Sequence, residues 1–425
     1  MRDTNTETGR RPHLHEGGPG LGRRLGVVAA AATVLLAACD DESLMPPEPP
    51  DGGEIFQRYV ALGASITAGF QSGGINDSTQ RQSYPAMLAE QMGTEIGLPL
   101  LRAPGCPPPF TDILTGQRVG GGTDDTCALR STPVPEQLHN VAVPGAEVSD
   151  VLTNSGDDTN ANALTQLILG GRTQVEAAAE ARPTFVTVFA GGNDVLDAIT
   201  AGDPTAATPP QEFASDYDDL VARLAQMQSL EGAALVGIPN VFAFDAEGRG
   251  TFPHLSLGAA YAQASQSPGW PDNFDVDANC APESAFPDGE PGHQTAVPFG
   301  YGFGQLFAQA QAGASVELDC LQDDAVITVP EAQQIGAAIQ SYNQAIAAAA
   351  QEQGWAFVDP TPLLVGLRDQ GLIPAFPTIS DPTTPLFGPV YSQDGIHLAE
   401  RGHAEVADLL ASEIDGVFGT GIGGG

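Results

Sequence analysis

The chain has 425 residues, enough for one large core or two domains, and sets 53 acidic residues against 16 basic ones, all of them arginine. A net charge of −37 argues against nucleic acid or an anionic membrane surface as a partner, since both bind through basic patches. The acid excess instead favours solubility. Residues 1–38 read as a signal segment. Arg23 and Arg24 precede "LGVVAAAATVLLAA", an apolar run too short for a stable membrane span and the right size for a signal core. "LAAC" then places Cys39 where a lipidated cysteine would start the mature chain. The acidic, proline-rich stretch 39–54 has little to bury and reads as a disordered tether.

From residue 55 strand-like and helix-like runs alternate. "RYVAL" (58–62) is a strand, followed by a helical patch near Tyr84–Gln91. "HNVAV" (139–143) is the second strand, and the continuous apolar run "TFVTVFA" (184–190) suits a strand buried on both faces. A helical pattern over 210–230 leads to "AALVGI" (233–238). An alanine-rich helix over 330–354 precedes the last strand, "WAFVD" (355–359), and an amphipathic helix over 398–414 closes the domain. Such alternation predicts an α/β fold, a three-layer α/β/α sandwich around a mostly parallel five-stranded sheet. The domain is expected to span 55–417, with a flexible tail over 418–425.

Two stretches break the rhythm, 100–135 and about 240–329, both rich in Pro and Gly. They read as insertions over the C-terminal edge of the sheet, forming the wall or lid of a cleft. Each holds two of the four cysteines left after Cys39. An even number in an exported chain suggests two disulfides with three possible connectivities; nearest-neighbour pairing, Cys106–Cys127 and Cys280–Cys320, is the preferred one. No CxxC or His/Cys group stands at zinc spacing, so no metal or cofactor is expected.

Working residues of parallel sheets sit beyond the C-terminal strand ends. Ser65 lies there, in "LGASITAG", after the first strand. A serine hydroxyl is a poor nucleophile without a base. "DGIH" near the far end supplies one: Asp394 and His397, three apart, let a carboxylate reach Nδ1 and leave Nε2 free for a serine. His403 sits inside the closing helical pattern and reads as a surface or packing residue. Acyl transfer also needs donors for an oxyanion. Gly145 in "NVAVPGA" and Asn193 in "GGND" end the second and third strands. Asp194 is expected to brace its loop, and Asn343 and Asp359 to be structural.

In that order the four blocks resemble the SGNH, or GDSL-type, hydrolases, over about residues 58–414. The resemblance implies a flavodoxin-like sandwich and metal-free serine ester hydrolysis. Carried over by position, Ser65 is the nucleophile, His397 the base and Asp394 its orienter, with the Ser65 and Gly145 N–H groups and the Asn193 amide forming the oxyanion hole. One departure is Ala64, where the family usually has Asp. A classical α/β-hydrolase elbow fits less well, because Thr67 stands where Gly-x-Ser-x-Gly needs its second glycine. The expected protein is an esterase or lipase acting on a small-molecule, lipid or glycan ester, monomeric, held at the bacterial cell envelope only by its lipidated N-terminus. The alternatives are a carbohydrate O-acetyl esterase on extracellular glycans and a non-catalytic surface-binding lipoprotein.

Overall fold

The computed structural model describes residues 53–154, 162–282, 291–379 and 384–423. The expected signal segment, Cys39 and the tether up to residue 52 lie outside them. The chain is already ordered at the end of that tether: Glu54–Phe56 form a 3-10 turn whose Phe56 packs edge-on against Phe185, ring centroids 5.0 Å apart.

Four strands form the central sheet, in spatial order β1 (Tyr59–Gly63), β2 (Phe185–Phe189), β3 (Gly232–Val236) and β4 (Ala356–Val358), all parallel. Tyr59 stands opposite Phe185, Phe185 opposite Gly232, and Ala356 opposite Ala234. Every residue of β1, β2 and β3 is buried, which is why these segments are apolar throughout rather than alternating.

The expected fifth strand, 139–143, is only rudimentary. It runs parallel to β1 and exchanges backbone hydrogen bonds with Ala61 and Gly63, yet narrows to a single bridge between Ala61 and Asn140. The reason is local. Asn140 accepts the Ala142 N–H on its own side chain at 3.2 Å and donates to Thr67 O at 2.6 Å, and Pro144 then ends the segment with no N–H to offer.

Helices cover the sheet in two groups. α2 (Tyr84–Met92) packs on the closing helix α8 (Glu400–Phe418), which also contacts β4. α3 (Val148–Thr153), α4 (Gln174–Ala181), α6 (Pro210–Ala225) and α7 (Val329–Gln353) pack on one another, with α4 against β1 and α7 against β3 and β4. Two short elements start at the strand ends that matter below, α1 (Ser65–Ala68) and α5 (Asn193–Ala201). α7 opens on a capping box formed by Thr328 and Glu331, with Pro330 in its first turn, and Gly354 ends it in the left-handed conformation. The expected flexible tail begins inside α8. Phe418 is its last helical residue and packs on Phe185, ring centroids 5.5 Å apart, so apolar burial holds this end in place.

Both insertions carry structure of their own. The first holds a small hairpin, Phe110–Asp112 with Gln117–Arg118, and the Cys106–Cys127 disulfide. The second pairs Leu255–Leu257 with Ala296–Pro298 and Phe274–Val276 with Val316–Leu318, and is closed by Cys280–Cys320. An aromatic cluster including Tyr261, Trp270, Phe299 and Phe303 fills it. Half-buried Trp270 donates its ring N–H to Phe274 O at 2.8 Å, giving its one polar group a partner.

Candidate active site

β1 ends at Gly63, where φ is +147° and an added Cβ would stand 2.3 Å from Phe189 O. Only glycine lets the first two strands approach this closely just before Ser65. Gln174, buried on α4, clasps Gly63 from both sides: its amide oxygen accepts the Gly63 N–H at 3.0 Å and its amide nitrogen donates to Gly63 O at 2.9 Å. Ser65 is then the first residue of α1, half-buried. The N-cap is Ala64, which makes no side-chain capping bond. An acidic side chain there would offer an acceptor to the first turn; alanine leaves that turn uncapped.

At the other end of the chain, Asp394 Oδ2 meets His397 Nδ1 at 2.9 Å, and Asp394 Oδ1 accepts the backbone N–H groups of Ile396 (3.0 Å) and His397 (2.8 Å). Gly73 N–H donates to Oδ2 at 2.6 Å and the Ser392 hydroxyl to Oδ1 at 3.2 Å. Burial pushes the Asp394 carboxyl up, but the facing His397, with its hydrogen bonds and the Ile396 N–H, outweighs burial and holds it well below the usual carboxylate range. Asp394 is therefore a stable anion, able to fix the imidazole with its proton on Nδ1. Phe70, five residues after Ser65, packs on the His397 ring with centroids 4.9 Å apart.

The insertions brace this acid. Arg118 of the first donates to Gly73 O at 2.9 Å and Pro108 O at 2.6 Å, lies 3.5 Å over the Phe110 ring, and pairs with Asp124. It thus anchors Gly73, the residue whose N–H meets Asp394. Gly73 has φ +63°, and a Cβ there would strike the Phe110 ring at 2.7 Å. From the second insertion, His254 Nδ1 lies 3.2 Å from Asp394 O; a carbonyl can only accept, so Nδ1 carries the proton. Tyr391 OH reaches Thr251 O at 2.8 Å.

Ser65, Asn193 and His397 line one cavity of about 100 Å³, otherwise walled by apolar side chains such as Ile199, Ile238 and Leu364. A far larger open cleft, about 1210 Å³, runs along α7 and the second insertion, but contains none of the predicted catalytic residues. Size alone would select a place without them; the predicted residues Ser65, Asn193 and His397 line the smaller cavity. Gly145 is exposed and lies outside that cavity, against Asn162 and Gln174. Asn193 links the two places, since its amide donates to Ala146 O at 2.8 Å. The amide has a second N–H for a ligand.

Asp194 braces the same loop, as its position suggested. Its Oδ2 accepts the Val148 N–H at 3.1 Å, so α5 holds the start of α3 just after Gly145. Burial pushes its carboxyl up to about 7, and the neighbouring Glu147 charge adds to the rise. The folded protein thus keeps a proton that the unfolded chain releases near pH 4. This group favours folding fully below that pH, and its contribution is lost as pH rises from about 4 to about 7. Asp194→Asn removes the dependence. The stability gained over the parent should grow across that window, to roughly 4 kcal/mol, in urea unfolding at the two ends. A gap that stays constant with pH would show that Asp194 is ionised throughout.

His403 is a packing residue: fully buried on α8, it accepts the Tyr84 N–H on Nδ1 at 3.2 Å, and burial pushes it down to about 3, so it is neutral. Asn343 is structural, bonded through its amide to Ile238 N (2.7 Å) and O (2.8 Å). Asp359 accepts the Thr361 N–H at 2.9 Å, starting the helix after β4. Gln174, Arg118 and His254 went unread in the sequence, because only distant packing brings them to the site. Among the described residues no group of three or more His, Cys, Asp or Glu is placed to hold a metal ion, and no helix is long and apolar enough to cross a membrane.

The family described as GDSL-like Lipase/Acylhydrolase matches residues 59–410. No curated protein matches the chain. Among solved structures, the acetylxylan esterase Axe2 from Geobacillus stearothermophilus is 12% identical, with 84% of this chain and 94% of that one covered at a TM-score of 0.38. LAE5, an alpha/beta hydrolase enzyme from the metagenome of Lake Arreo, Spain, is 15% identical, with 88% and 100% covered and the same TM-score, 0.38.

Proposed function

Because the chain belongs to the GDSL-like lipase/acylhydrolase family, we propose that it is a carboxylic ester hydrolase working through Ser65, His397 and Asp394 on a flavodoxin-like sandwich. The observation that carries the reading is the His397–Asp394 pair, 2.9 Å apart, on the cavity that Ser65 and Asn193 also line. His397 Nε2 takes the Ser65 proton as the hydroxyl oxygen attacks the ester carbonyl. The negative charge moves to the carbonyl oxygen, facing the Ser65 N–H and the second N–H of Asn193, with the Gly145 N–H, outside the cavity beside Asn193's Ala146 contact, as the proposed third donor. Collapse expels the alcohol, which takes the proton from His397. Water, deprotonated by the same imidazole, then releases the acid and frees Ser65. In this reading the 394–397 turn orients the base and Asp194 positions the Gly145 side of the oxyanion hole.

The test is covalent. A fluorophosphonate probe should add to the full-length protein on the peptide containing Ser65, read by mass spectrometry. Labelling elsewhere, or none, would favour a binding protein on a hydrolase fold, the reading that the uncapped Ala64 turn motivates. The proposal extends to export and lipidation at Cys39, on the strength of "LAAC" after the apolar run. An alkynyl-palmitate label in the producing cells should be lost on Cys39→Ser; a label that persists refutes it.

A further inference from the structure

The geometry points to a short-chain acyl specificity: the cavity at Ser65 accepts acyl groups of two to four carbons and excludes the long chains of membrane lipids. The inference rests on the proposed ester hydrolysis and goes on to name its substrate class. Three observations carry it.

The first is volume. The cavity lined by Ser65, Asn193 and His397 holds about 100 Å³. A buried apolar cavity of roughly 150 Å³ takes one benzene, six non-hydrogen atoms, so 100 Å³ takes about four. A pocket for a drug-sized ligand would start near 300 Å³.

The second is the lining. Beyond Ser65, Asn193 and His397 the lining is almost wholly hydrocarbon, as an acyl tail needs and a polyhydroxylic alcohol does not. The alcohol half of the ester is therefore left to the open side of the site.

The third is how firmly three of the lining residues are held. Ile199 on α5, Ile238 after β3 and Leu364 on the helix Thr361–Asp369 are each nearly fully buried, at 2%, 2% and 5% exposure. They belong to the packed core rather than to a mobile loop. Interiors at crystal-like density do not yield a channel for a longer chain without displacing side chains.

Each methylene that fits should raise kcat/KM about fourfold, and the first that does not should lower it roughly tenfold. The experiment measures kcat/KM for p-nitrophenyl acetate, butyrate, octanoate and palmitate with the full-length protein. A maximum at acetate or butyrate is expected, with octanoate at least about tenfold lower. A maximum at octanoate or palmitate overturns the inference. Ile199→Ala and Leu364→Ala, on separate elements, should each lower the butyrate-to-octanoate ratio by about tenfold. An unchanged ratio in both folded variants would show that these side chains do not end the cavity. If neither folds, the parent's chain-length profile still decides. Failure of the catalytic assignment looks different: p-nitrophenyl acetate would then be cleaved equally well by Ser65→Ala.

Discussion

Ser65→Ala is expected to lower kcat toward p-nitrophenyl butyrate by about 10⁶-fold while leaving the fold intact. The folding half follows from position. Ser65 occupies the first position of α1 and Ala64 the cap, so the serine supplies no N-cap bond, and alanine is at least as good a helix former. The kinetic half follows from the proposed unit. Without the hydroxyl, the His397–Asp394 pair has no proton to take and the oxyanion donors act only on direct attack by water. His397→Ala should cost about as much, and the double variant no more than either alone, because the residues act together. Thermal unfolding beside the kinetics separates a lost nucleophile from a lost fold. A folded Ser65→Ala protein retaining even a hundredth of the activity would sink the assignment.

Asp394→Asn should lower kcat by about 10⁴-fold and also destabilise the protein, although asparagine has the same shape. The carboxylate faces donors on both oxygens: Gly73 N–H and His397 Nδ1 on one, Ile396 N–H, His397 N–H and the Ser392 hydroxyl on the other. Whichever way the amide is turned, its NH₂ confronts N–H groups. One orientation forces His397 to move its proton to Nε2, where it can no longer act as base; the other leaves two backbone donors unpaired, costing about 1–3 kcal/mol each. The sign with pH is set by the depressed carboxyl. Its stabilisation is fully present above about pH 4, the unfolded value, and is lost as pH falls toward the lower folded value. The parent should thus weaken below about pH 4 more steeply than Asp394→Asn, in urea midpoints taken across the acid range. Parallel pH curves would mean that Asp394 is not held as a buried anion.

The residues proposed to perform chemistry were easier to read than those that hold them. Ser65, Asn193, Asp394 and His397 each stand in a short block at a strand end or before a helix, where local residue types carry the message. Gln174 lies inside an unremarkable helix, and nothing nearby shows that its amide fits the Gly63 peptide 111 residues away. Arg118 and His254 sit in insertions with no readable period, and their roles exist only once the 392–397 turn is docked. The second strand was overread for a related reason: "HNVAV" has the apolar pattern of a strand, but Asn140 uses its side chain on its own backbone. At the C-terminus the glycine-rich composition hid the aromatic contact of Phe418 that keeps the helix going.

The bond from Gly73 N–H to Asp394 joins positions 321 residues apart. Synthesis at about 5–20 residues per second separates their appearance by roughly 16 to 64 seconds. Throughout that interval the serine segment exists without its base, and the insertions have nothing to brace. In the proposed assignment hydrolytic capacity arrives last, only after His397 has been made and the closing helix has folded over it. A chain released early carries an inert hydroxyl, and the producing cell is spared an esterase that works before it is whole.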